Sequence, residues 1–232
     1  MSSLANIVFV ALLAAAPPAP LATFESRYGD FTAYTVAGAT PKVEVRFHGR
    51  RVFLAQAEEV ELYRATPGNA LEHIIVQLWS PGLNCQHSYA LLTVRKDGSV
   101  VPSPVFGECH EMESARWLPD GVELQLSPRA DGNAEVETWR FRAGKLDHRV
   151  VTLAPGTPWA SARKTLFAGG WRAAPDPEAT DARRPYPKFP EVSCGRGNDA
   201  ECNARLQRAG EIIRVWVDWN TPELPVTGIH GD

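Results

Sequence analysis

Apolar and polar residues alternate along the chain from Phe31 to about Leu153, and a period of two is the pattern of a strand with one buried face. Val43, Val45 and Phe47 point one way while Lys42, Glu44, Arg46 and His48 point the other, and Gly49 permits a tight turn into Val52 to Leu54. Val60 and Leu62 alternate with Glu59 and Glu61, and Ile74, Val76 and Leu78 alternate with His73, Gln77 and Trp79. By this pattern His48 and His73 lie on solvated faces. Tyr89 to Val94 ends at the turn pair Asp97-Gly98, after which Val100 and Val101 resume. A second turn pair, Asp120-Gly121, joins Ala115 to Leu118 with Val122, Leu124 and Leu126; Val136 to Phe141 and Val150 to Leu153 follow across Gly144. The sum is about nine short strands at intervals of about ten residues, the spacing of a sandwich, barrel or propeller-like sheet.

Beyond Pro155 the texture changes. Trp159 to Phe167 reads as a short helix or strand closed by Gly169-Gly170. Residues 173–190 carry Pro175, Pro177, Pro185, Pro187 and Pro190, which predict an extended strap whose Trp171, Tyr186 and Phe189 dock on the β domain. A helix is predicted over 199–219, opened by a capping box of Asn198 and Glu201. Its apolar face consists of Cys202, Leu206, Ala209, Ile213 and Trp216, and Pro222 stops it. The expected organisation is a signal peptide over 1–22, a β domain over 23–155, a Pro-rich strap over 156–193 and a disulfide-pinned C-terminal helix over 194–232. The fold class is mainly β: an antiparallel sandwich, barrel or partial-propeller-like sheet with one C-terminal amphipathic helix.

The string Ala115-Arg116-Trp117-Leu118-Pro119-Asp120-Gly121-Val122 resembles the strand-turn-strand of a propeller blade of the PD40 kind, although no second copy recurs at a fixed period.

Composition adds the compartment. Ile7 to Ala16 is a short apolar run followed by Pro17, Pro18, Pro20 and the small residue Ala22, which reads as a secretory signal cut after Ala22. Four cysteines in an oxidising compartment predict two disulfides, Cys85 with Cys109 and Cys194 with Cys202, each closing a local loop. The expected location is therefore periplasmic or extracellular. With 232 residues, 44% of them hydrophobic, the chain can bury a sizeable core, and its net charge of −3 gives no basic surface for nucleic acid. No apolar run is long enough to span a membrane.

Candidate chemistry concentrates in two segments, Cys85-Gln86-His87 and Glu108-Cys109-His110-Glu111. Together they hold enough ligands for tetrahedral zinc, but neither has C-x-x-C or H-x-x-x-H spacing, so a disulfide and no resident metal or cofactor is expected there. No nucleophile elbow, H-E-x-x-H or Gly-rich phosphate loop occurs. These features predict an exported non-catalytic binding module, of the inhibitor or immunity type, that occludes a partner protein. Cys85, His87, Glu108, His110 and Glu111 are the expected binding residues. The alternative is an envelope hydrolase acting on cell-wall sugar or peptide, with Glu108, Glu111 and His110 as acid and base.

Overall fold

A computed structural model describes residues 19–64, 71–80, 86–128, 134–142, 144–174, 184–195 and 201–231. It consists of four antiparallel sheets, each built from strands consecutive in the chain. Sheet one contains β1 (Ala22–Ser26), β2 (Gly29–Val36), β3 (Lys42–Phe47) and β4 (Arg50–Gln56). Sheet two contains β5 (Glu59–Arg64), β6 (Leu71–Trp79), β7 (His87–Arg95) and β8 (Val100–Pro102). Sheet three contains β9 (His110–Leu118), β10 (Gly121–Pro128), β11 (Ala134–Arg142) and β12 (Lys145–Leu153). After α1 (Trp159–Ala168) come β13 (Arg172–Ala173), β14 (Arg184–Tyr186), β15 (Phe189–Cys194), β16 (Cys202–Arg208), β17 (Glu211–Val217) and β18 (Val226–Gly231), which form sheet four.

The sheets stack face to face in chain order. Phe31, Val45, Ile74, Val76 and Leu92 form the core between sheets one and two. The other face of sheet two contributes Ile75, Tyr89 and Leu91 to a second core with Val122, Leu124, Leu126 and Phe141 of sheet three. The far face of sheet three adds Val136 and Leu153 to a third core with α1 and sheet four. Sheets two and three are thus internal layers, which is why β6 and β10 are buried along nearly their whole length. No core cluster joins sheet one to sheet four, so among the described residues the stack is open and no barrel closes.

This layering corrects the reading of His73. Alternation placed it on a wet face, but sheet three covers that face, and His73 is buried with its ring edge-on to Phe141. His48 is exposed as expected, where His48 and Gly49 take positive φ in the turn between β3 and β4.

The C-terminal helix is the larger correction. Residues 202–208 and 211–217 form a hairpin, and the single helix of the described residues is at Trp159–Ala168. Cys202, Ala204 and Leu206 on β16 and Ile213, Val215 and Val217 on β17 are buried at a period of two. Several of them also fall four apart, which imitates a helical stripe. Ile212, Ile213, Val215 and Val217 favour strand, and Ala209-Gly210, with φ of 47° and 83°, makes the two-residue turn. The Cys194–Cys202 disulfide joins two directly paired positions of β15 and β16, where it pins strands and not a helix start.

Part of the expected strap is also strand. Pro175 and Pro177 lie outside the described residues; Pro185 is tolerated because β14 is the outer strand of sheet four, and the β15–β16 ladder uses only Val192 to Cys194, leaving Pro190 outside it. Trp171 and Phe189 are buried against sheet four and α1, as docking aromatics should be.

Candidate functional site

The two segments expected to meet do so. The Cys109 N–H donates to the His87 carbonyl at 3.0 Å, and Tyr89 and Phe106 exchange backbone hydrogen bonds at 2.8 Å. Cys109 is held in a disulfide, while Cys85 lies outside the described residues. His87 and Glu108 line one small cleft of about 320 Å³ together with Gln86 and Ser88.

His110 and Glu111 do not join that cleft as an acid–base pair. They begin β9, where alternation sends them to opposite faces, and both Glu108 and Glu111 are exposed. The trio expected of a hydrolase is therefore splayed over different surfaces. His110 turns inward toward sheet two. Its Nδ1 lies 2.7 Å from the Glu108 carbonyl, the geometry of an Nδ1–H donor. Its own carbonyl accepts from the Tyr89 phenol at 3.2 Å, and burial pushes the Tyr89 pKa up to about 12, keeping that donor protonated.

Around His110 the face of sheet three is more polar than sequence reasoning anticipated. His110 Nε2 lies 3.7 Å from Glu137 Oε1 and 3.9 Å from Glu135 Oε1. His148 Nε2 lies 3.3 Å from the same Glu137 oxygen. The Trp139 indole donates to Glu137 Oε2 at 2.7 Å, and its ring stacks on His148 with centroids 3.9 Å apart. The missed signal was Glu135-x-Glu137-x-Trp139, a same-face set on one strand paired across to His148.

A larger groove, of about 740 Å³, opens where β1 and β5 meet, and Leu21 to Thr23 form one wall with Glu59 to Tyr63 opposite. The register pairs Glu59 with Trp79, Glu61 with Gln77 and Tyr63 with Ile75, so these side chains share one face of sheet two. Trp79 is 39% exposed and stacks within 5° of parallel on His87. Gln77 Nε2 lies 3.1 Å from His87 Nδ1 and steadies that ring, and Tyr63 donates to the Glu61 carboxylate. β1 and β5 end their sheets, so each presents an outer edge without a neighbouring strand among the described residues. The groove offers aromatic faces, two carboxylates and strand-edge peptide groups. Trp79 and His87 were both visible in the sequence, but their meeting with β1 depends on sheet stacking.

A third polar cluster joins sheets three and four. Glu123, 2% exposed, is bound by Arg116 and Arg140, and Glu211, 1% exposed, is bound by Arg149 at 3.1 Å and Arg208 at 3.2 Å. Each carboxylate is matched by guanidinium groups, the arrangement of a structural ion network.

A scan against protein-family models finds no match, and a search of curated proteins finds none. No helix among the described residues is long and apolar enough to cross a membrane.

Proposed function

We propose that the protein is an exported, non-catalytic binding module that accepts an extended segment of a partner protein in the groove between β1 and β5. The observation that carries this reading is the groove's construction: two strand edges, unpaired among the described residues, flank a floor that bears the exposed Trp79 ring. An incoming strand gains main-chain hydrogen bonds from such an edge, and pockets for alternate side chains supply selectivity. Trp79 and Tyr63 provide large, stiff contact surfaces at small entropic cost, while Glu59 and Glu61 favour a partner segment carrying Lys or Arg. A scaffold of stacked sheets also loses little freedom on binding, which suits an inhibitor or immunity-type role in which the partner's working cleft is occluded. The apolar run before Pro17 and the disulfides support export to a periplasmic or extracellular location.

The test places a photo-crosslinking residue at position 61 in the protein as its native host makes it. One discrete adduct is expected, with the crosslink mapping to an extended segment of the partner. Trp79→Ala should abolish the adduct while thermal unfolding stays within a few degrees of the parent. Absence of an adduct, or an adduct indifferent to Trp79→Ala, overturns the reading. Intact mass of the same material should show loss of about the first 22 residues and two disulfides.

A further inference from the structure

We infer that His110, Glu135 and Glu137, with His148 beside them, form a binding site for a divalent transition-metal ion of the zinc type. His110 is 15% exposed at its side chain, and its buried Nε2 makes no hydrogen bond although two carboxylates face it. A charged pair in direct contact closes to about 2.7–2.9 Å, and the 3.7 and 3.9 Å separations here are well beyond that. They are near the spacing of donors that share one ion. Bonds of about 2.0–2.1 Å at tetrahedral angles put neighbouring ligand atoms about 3.3 Å apart. Donor atoms of His110, Glu135 and Glu137 all lie within 4.8 Å of one another, and His148 Nε2 lies outside that trio at 3.3 Å from Glu137 Oε1.

The surroundings strengthen the assignment. His110 donates Nδ1–H to a backbone carbonyl, which fixes the tautomer that leaves Nε2 as a ligand. Glu137 has its second oxygen held by the Trp139 indole, and His148 is fixed against the ring of the same tryptophan. Ligating side chains oriented by outer hydrogen bonds are the usual construction of a metal centre, and these stand on strands and not on loops. Mixed imidazole and carboxylate donors suit zinc or a neighbouring divalent ion, whereas calcium takes oxygen ligands. Partial exposure of Glu135 and His148 leaves a path for the ion from solvent. The bound ion would clamp the start of β9 to β11.

The experiment uses tag-free protein with its disulfides intact, stripped with chelator and titrated with zinc chloride alone by calorimetry, then with cobalt(II) by visible absorption. One zinc per chain with a dissociation constant below about 10 μM is expected, together with the intense visible bands of four-coordinate cobalt. His110→Gln and Glu137→Gln should each weaken binding at least 100-fold. Glu135→Gln, at a more exposed position, serves if either of those fails to fold, and Glu111→Gln on the opposite face should leave affinity unchanged. No saturable binding below about 1 mM overturns the assignment and leaves a hydrogen-bonded polar cluster. Unchanged affinity in all three ligand variants overturns it equally, by placing the ion elsewhere.

Discussion

Arg140 of sheet three lies 3.6 Å from Glu211 of sheet four while the same guanidinium holds Glu123 on its own sheet. One side chain thus links two carboxylates that are withdrawn from water, across an interface that Arg149 and the Gln125 amide also bridge.

Removing Glu211 should be costly for that reason. Glu211→Ala leaves Arg140, Arg149 and Arg208 without their shared counter-charge, and a loss of about 3–5 kcal/mol is expected. Arg116 is 42% exposed where it meets Glu123, so Arg116→Ala should cost about 1 kcal/mol or less. Urea unfolding midpoints of the two variants check the contrast, and equal losses would contradict it.

Gly121 is needed for space and not for backbone freedom. Its φ is not positive, and a Cβ built on it would sit 1.9 Å from the Phe141 carbonyl of the neighbouring strand. Gly121→Ala must therefore part β10 from β11, with an expected cost of about 1–3 kcal/mol. Gly49→Ala meets no neighbour within 4 Å and is strained only through its φ of 74°. Thermal unfolding distinguishes the two, with Gly121→Ala the more damaging.

His73 should make the fold acid-sensitive. Burial holds its pKa below the ordinary value of 6.5, and the charge of Asp120 only partly opposes this. The unfolded chain then binds a proton more readily than the native one. Stability from this group is present above about pH 6.5 and is lost as pH falls below it. His73→Gln, which keeps a partner for the Thr93 hydroxyl, should flatten unfolding free energy between about pH 7 and pH 5. An unaltered slope would falsify the assignment.

The disulfide between Cys194 and Cys202 closes a loop with a sequence separation of 8. Such a loop restricts the unfolded chain by about 2–3 kcal/mol. The Cys194→Ser, Cys202→Ser double variant should lose that much in denaturant titration while retaining the far-ultraviolet spectrum of a β protein. Loss of all sheet signal would mean instead that the bond is required for sheet four to form.

How much of this was legible in sequence depends on whether the signal was local. Gly49, which forms a turn together with His48, was read correctly as a turn position because clear alternation flanks it. Ala209-Gly210 takes nearly the same backbone angles, yet an alanine before the glycine and a run of apolar residues at fours disguised it as mid-helix. The layered burial of Ile74, Ile75 and Val76 on both faces of β6 gives a continuous apolar run that says strand without saying what covers it. For the same reason His73 looked solvated, since only the stacking of one sheet on the next removes it from water. Of the expected site residues, His87, Glu108 and Cys109 come together because a backbone ladder joins their segments. Glu135 and Glu137 were passed over because their meeting with His110 spans three strands.

The stack also has a consequence for how the molecule comes apart. Sheets two and three each depend on a neighbour at both faces, so stripping either end sheet would strand an apolar surface on the next. Stability is then shared between adjacent layers, as in a short one-dimensional array, and a defect at one interface propagates to the next. A protease that nicks the chain between sheets should find no fragment able to survive alone, and unfolding should proceed as a single cooperative event.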